Sequence, residues 1–273
     1  MRGFRWVFGV VAVVVCLLVV GGGVAVALPA SFGGGDGDEA GQISREAAGI
    51  AVEQESGDVY VADHTNERVD KFGPSGEFLF AWGWGVADGH TEALQTCTTS
   101  CFTGLYRGGS GAFGFPDGVA VDDDPLSASY RDVYVVDSSN GRVQKFDSAG
   151  NFLLMFGGGV NETTNGDVCL AGEACRAGTG GSEPGEFEGL SQGSIAVDAA
   201  GNMYVGDLNR VQEFSPGGAP VAQIALPGAG SIGAVAVDSS GDVYVKGSEL
   251  SGVRKFEGCS GACTGVELGE PLD

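Results

Sequence analysis

The chain has 273 residues, 50 of them Gly and 43% of them apolar, which suits a single turn-dense domain with a real core. Its 36 acidic and 14 basic residues give a formal charge of -22, which excludes a phosphate-reading surface of clustered Lys and Arg, so no nucleic-acid partner is expected. The two histidines, His64 and His90, are too few for a three-His zinc centre within one subunit.

Met1, Arg2 and Arg5 precede an apolar run from Trp6 to about Ala30 that ends in Ala25-Val-Ala27. A basic start, an apolar stretch and an Ala-x-Ala exit describe a signal peptide over residues 1-30. The run is also long enough to cross a bilayer as an uncleaved anchor. Both readings export the rest of the chain. It is secreted or extracytoplasmic in the first and membrane-anchored in the second, touching the membrane only through residues 6-30. Cys16, inside the run, reads as a buried apolar thiol. Residues 31-42 are rich in Gly and acid and read as a linker.

From residue 43 one unit is written four times. The first copy is Gly49-Ile-Ala-Val, Asp58-Val-Tyr-Val and Arg68-Val-Asp-Lys-Phe72, and the second is Gly118-Val-Ala-Val, Asp132-Val-Tyr-Val and Arg142-Val-Gln-Lys-Phe146. The third is Ser194-Ile-Ala-Val, Asn202-Met-Tyr-Val and Arg210-Val-Gln-Glu-Phe214, and the fourth is Ala234-Val-Ala-Val, Asp242-Val-Tyr-Val and Val253-Arg-Lys-Phe256. The β-branched alternation is that of half-buried strands, and the last two landmark tyrosines, Tyr204 and Tyr244, are 40 residues apart, the length of one four-stranded propeller blade. Strands of the first blade are expected near 49-53, 58-62, 68-72 and 77-82. Gly57, Gly201 and Gly241 fall at the A-to-B turns, and Gly76 and Gly150 at the C-to-D turns.

These motifs resemble the NHL repeat, with the fullest match in the first two units, where Phe115-Pro116-x-Gly118 opens the second. The resemblance implies an all-β propeller of four-stranded antiparallel blades over residues 43-273, with blades at about 43-83, 115-157, 190-226 and 231-270. NHL propellers commonly have six blades. Four are legible here, and the fourth ends in one more expected strand, Gly265-Val-Glu-Leu268, with nothing after it to cap an edge, so an open or strained arc is expected.

Insertions at 84-114 and 157-190 separate the early blades and carry little strand signal. Cys97 and Cys101 lie in the first, Cys169 and Cys175 in the second, and Cys259 and Cys263 follow the last Phe. An even count in close pairs points to local disulfides and an oxidising compartment rather than zinc ligation. In a meandering blade, D-to-A connections and B-to-C loops emerge on one face, so the first two pairs decorate that face and the third the other.

The decorated face also carries Asp63-x-x-Asn66-x-Arg68, Asp137-x-x-Asn140-x-Arg142 and a compressed Asp207-x-Asn209-Arg210. Asp and Asn can close their own loop while Arg clamps a carboxylate in bidentate fashion, which is blade-building chemistry. The alternative is a carboxylate ring at the channel mouth, in which Asp63, Asp137 and Asp207 hold calcium. The fourth blade breaks such a ring with Gly247, Leu250 and Gly252 at the aligned positions.

The remaining motifs are read as structural. His64 is expected to be an exposed loop residue, Gly109-x-Gly111-x-x-Gly114 a flexible insertion, and Asp122-Asp-Asp124 a solvated hairpin rather than a calcium loop. Trp82 and Trp84 are expected to pack, and Asn161-Glu-Thr163 matches a glycosylation acceptor by pattern only. The expectation is therefore an exported, non-catalytic binding or scaffold module with no cofactor of its own, whose partner is a protein or a cell-surface polymer. The alternatives are a lyase- or hydrolase-like propeller with a calcium-dependent channel site, and the sensor ectodomain of an anchored protein.

Overall fold

The computed structural model describes residues 33–190 and 194–257. The repeats become four antiparallel sheets. The first contains β1 (Gly49–Val52), β2 (Val59–Asp63), β3 (Arg68–Phe72), β4 (Phe78–Trp84) and β5 (Leu94–Cys97). The second contains β6 (Pro116–Val121), β7 (Val133–Asp137), β8 (Arg142–Phe146), β9 (Phe152–Phe156) and β10 (Val168–Leu170). The third is β11 (Ile195–Val197), β12 (Met203–Asp207), β13 (Arg210–Phe214) and β14 (Pro220–Ala225). The fourth is β15 (Ile232–Val237), β16 (Val243–Gly247) and β17 (Arg254–Phe256). Each sheet is a blade, and the turn glycines adopt the expected left-handed backbone, with φ of 76° at Gly57 and 85° at Gly76. The expected last strand at 265-268 and the pair Cys259 and Cys263 lie outside the described residues.

Two expectations are corrected. The insertions are not strandless, since β5 pairs with β4 through Ala81 and Cys97, and β10 pairs with β9 through Met155 and Cys169. Three or four residues with little alternation give no strand signal alone. Their edge pairing, and the disulfides Cys97–Cys101 and Cys169–Cys175 beside them, hold them extended. Residues 33–42 are not a spacer either. Gly34 N donates to Gly41 O, Asp36 bridges Ile43, Ala40 packs against Ala81 and Val86, and Arg68 donates to the carbonyls of Asp38, Glu39 and Gln42. Just after it, Ile43 and Ala47 pack with Val59, Val61 and Phe72 on the outer face of the first blade.

The core lies between blades because alternate residues of each central strand face opposite neighbours. Tyr60, Ala62, Val69 and Trp82 meet Val133, Val135 and Phe146 across the first seam. Tyr134, Val136, Val143 and Phe156 meet Met203, Val205 and Phe214 across the second. Tyr204, Val211 and Ile224 meet Val243, Val245 and Phe256 across the third. Trp82 is wholly buried, edge-on to Tyr60 at 6.2 Å and tilted against Phe146 at 5.8 Å. It packs as expected, and Trp84 Nε1 donates to Ser110 O.

Blade packing runs from the first to the second, the second to the third and the third to the fourth, with β1 on β6, β6 on β11, and β11 and β12 on β15. The arc is open. On its first inner strand Ile50 is 69% exposed, the mark of a strand whose outer neighbour is missing. At the A-to-B end the inner turns of all four blades line a cleft of about 600 Å³ that includes Gln54, Asp123, Asp198 and Asp238.

Candidate functional site

Chemistry is densest on the face of the B-to-C loops. In the second blade Asp137 is fully enclosed, and its carboxylate accepts Gly114 N at 2.6 Å, Asn140 Nδ2 at 3.0 Å, Arg142 Nε at 2.7 Å and Gln144 Nε2 at 3.0 Å. Burial pushes this carboxyl up from its ordinary value, against the pull of Arg142 and these donors, and burial pushes the Arg142 guanidinium down. The clamp is not bidentate. Only Nε of Arg142 meets the carboxylate, while Nη1 and Nη2 donate to the carbonyls of Gly108, Gly109, Ala112 and Arg176. The segment around Gly109, Gly111 and Gly114 is thus no flexible insertion, since its carbonyls are wrapped around a buried cation and Gly111 N is held by Gln144 Oε1.

The third blade repeats the scheme in compressed form. Arg210 Nε lies 2.9 Å from Asp207, and its Nη atoms reach the carbonyls of Gly181, Ser182 and Glu186. Asn209 does not join Asp207, because the shorter loop turns its Oδ1 to Gly230 N at 2.9 Å, at the entry to the fourth blade. In each case the arginine holds the connector that leads into its own blade.

The first blade departs. Arg68 Nε turns to Asp70 at 3.1 Å and lies no closer than 3.9 Å to Asp63, whose oxygens instead take Ser44 N and Asn66 Nδ2. The remaining guanidinium donors reach the carbonyls of Asp38, Glu39, Gln42 and Phe102. Asp70 stands where the next two blades have Gln144 and Gln212, so two carboxylates share one buried arginine. Burial pushes the Asp70 carboxyl up to about 7, only partly offset by Arg68.

The carboxylates proposed for calcium are therefore not brought together. Asp63, Asp137 and Asp207 are each enclosed in their own blade and occupied by protein donors. Among the described residues no group of three His, Cys, Asp or Glu side chains is arranged to hold a metal ion. Asp122 is buried rather than solvated, accepting Ser127 Oγ and Asp124 N. Asn161 is also buried, its Nδ2 donating to Glu173 Oε2 at 3.0 Å and its Oδ1 accepting Thr163 N and Thr164 N, so the glycosylation pattern presents no free amide.

Sequence reasoning missed two arrangements. One repeats: Lys71 pairs with Asp58 at 2.9 Å and sits 4.8 Å from the Tyr60 ring centre, as Lys145 does with Asp132 and Tyr134, and Lys255 with Asp242 and Tyr244. Its signal was present, because the strand register sets Tyr60 opposite Lys71. The third blade replaces the set with Asn202 and Glu213. The other arrangement occurs once. His64 is not an exposed loop residue: its Nδ1 lies 2.6 Å from Asp117 Oδ1, and its ring stacks on Phe115 at 4.7 Å. Asp117 is 53 residues away in the chain, so no local signal could reveal the pairing.

No protein-family model matches the chain, and no curated protein sequence does. Solved structures do resemble it. A streptogramin B lyase structure has 11% identity and a TM-score of 0.45, covering 83% of this chain and 55% of that one. The Cps50 (Swd1) β-propeller domain of Myceliophteria thermophila has 10% identity and a TM-score of 0.42 over 80% and 54%. A Bacteroides thetaiotaomicron protein of unknown function has 15% identity and a TM-score of 0.46 over 77% and 47%. The chain spans about half the length of these structures, and its own four antiparallel sheets make it a β-propeller in class. Two disulfides are the chemistry of an extracytoplasmic location, and among the described residues no helix is long and apolar enough to cross a membrane.

Proposed function

We propose that the chain is an exported propeller of NHL type that works as a binding or scaffold module without catalysis of its own. One observation carries the reading: three buried arginines, Arg68, Arg142 and Arg210, direct their donors at the carbonyls of the connecting loops. Two of those connectors are also stapled by disulfides. Rigid loops lose little entropy when a partner docks, so a face built this way is suited to binding. A protein or cell-surface polymer fits such a face, and nucleic acid does not fit a chain of charge -22. The N-terminal apolar run directs export, either as a cleaved signal peptide or as an anchor that leaves the propeller outside.

A photo-crosslinking residue at Tyr106, exposed on the loop face, is expected to capture partner material in the native extracellular setting. The same residue at Leu126, 93% exposed in the A-to-B connection of the second blade, is expected to capture none. Equal capture from both positions, or none from Tyr106, would overturn the reading.

A further inference from the structure

Features repeated from blade to blade build blades, so what occurs at a single seam calls for another reason. His64 and Asp117 meet at the first seam, where the aligned residues at the later seams are Ser138 with Gly193 and Leu208 with Gly233. Glu67, just before the clamp arginine, has φ of 49°. The aligned residues are Gly141, at 56°, and Asn209, at 58°, types that adopt this backbone at little cost. A second left-handed non-glycine, Phe115 at 56°, donates its N–H to Glu67 Oε2 at 2.7 Å. Two adjoining strained residues, the side chain of one holding the backbone N–H of the other, are found among the described residues only at the first seam, which points to function rather than to blade assembly.

The groups that meet there define a ligand. The imidazole of His64 is a quarter exposed and stacks on Phe115, and Tyr106 stands edge-on to Phe115 at 5.8 Å. Phe115 and Tyr106 are 38% and 47% exposed. Asp117 and Glu67 are buried behind them. The nearby cations are committed elsewhere, Arg68 to Asp70 and backbone carbonyls, and Arg107 to Glu92. A carboxylate on Nδ1 keeps the proton there and leaves Nε2 as a hydrogen-bond acceptor. An acceptor nitrogen, two exposed rings and buried carboxylates together suit a positively charged donor.

We propose that this seam binds an organic ammonium group, with His64 Nε2 accepting its N–H and with Tyr106 and Phe115 as the aromatic wall. The proposal deepens the loop-face reading by naming the chemistry that the partner presents. The two readings fail separately, because an amine titration needs no macromolecule. Burial, with Asp137 and Asp117 adding to it, pushes the Glu67 carboxyl up to about 7 against the bond from Phe115 N, so an arriving cation also expels a proton from Glu67 near neutral pH.

The intact protein is titrated with 2-phenylethylammonium, Nα-acetyl-lysine methylamide and, as the anionic counterpart, 3-phenylpropionate. His64 imidazole signals are followed by NMR, and proton release is followed by calorimetry in two buffers of different ionisation enthalpy. Saturable millimolar binding of an amine, with proton release at pH 7 and no response to the anion, is the expected result. Response to the lysine derivative would identify a peptide source, and response to the aromatic amine alone a small-molecule one. Tyr106→Ala, at an exposed position, is expected to weaken binding about two- to fivefold. Glu67→Gln, which keeps an acceptor for Phe115 N but removes the charge, is expected to weaken binding and to abolish the proton release. No shift of the His64 signals with either amine, or an equal shift with 3-phenylpropionate, would overturn the proposal.

Discussion

Blades 1 and 2 carry the same Asp-x-x-Asn-x-Arg loop, yet Arg142 sits on one carboxylate supported by a neutral Gln144, while Arg68 is shared between Asp63 and Asp70. The clamp of the second blade sets one guanidinium on one carboxylate, and the clamp of the first sets one guanidinium between two. The difference shows that one motif can be a closed structural clamp in one repeat and a proton-sensitive one in the next. It also places the unusual groups, Asp70, Glu67 and His64, in the same blade.

The largest expected effect is on the balanced clamp. Arg142→Ala leaves Asp137 buried without its counter-charge and strips four connector carbonyls of their donor, and should destabilise the protein by about 3–5 kcal/mol in urea unfolding. A loss below about 1 kcal/mol would mean that the clamp is ornamental.

Asp70→Gln should act in the opposite direction by giving the first blade the side chain of the second. A carboxyl whose folded value, about 7, lies above its unfolded value of about 4 keeps a proton that the unfolded chain has already released. Stability from this group therefore falls as pH rises from about 4 to about 7 and is level above that. The variant should gain about 1–3 kcal/mol at pH 8 and almost nothing at pH 4. A gain independent of pH would show that Asp70 titrates alike in the folded and the unfolded chain.

The smallest effect sharpens the comparison of Glu67 with Gly141. A Cβ at Gly141 has only Gly178 O and C within 4 Å, so Gly141→Ala tests the left-handed backbone with little steric interference. It should cost about 1 kcal/mol, read from the urea midpoint. No measurable cost would remove the strain argument from Glu67 as well.

Much of the fold was legible because each blade writes its own alternation and a closing Phe, after Lys in three blades and after Glu213 in the third. Asp137, Asn140 and Arg142 could be grouped because they share one loop. Asp70 stands in the sequence where Gln144 and Gln212 stand in the next blades, but nothing was read from it there, because its consequence depends on the depth of burial. The short strands β5 and β10 were not legible, since edge pairing rather than propensity holds them. Nor was the anchoring of residues 33–42, since a Gly-rich acidic segment gives no local sign of the carbonyls that Arg68 takes up.

The sequence by itself determined blade type, strand order and the close spacing of the cysteines, because these depend on contacts between residues near in the chain. Only the tertiary structure decided where the polar groups are spent. Arg68 reaches back to Asp38 and forward to Phe102, and His64 reaches Asp117 across a blade seam. A side chain's partner, burial and proton affinity are set by whatever the fold brings within about 3 Å, at any distance along the chain.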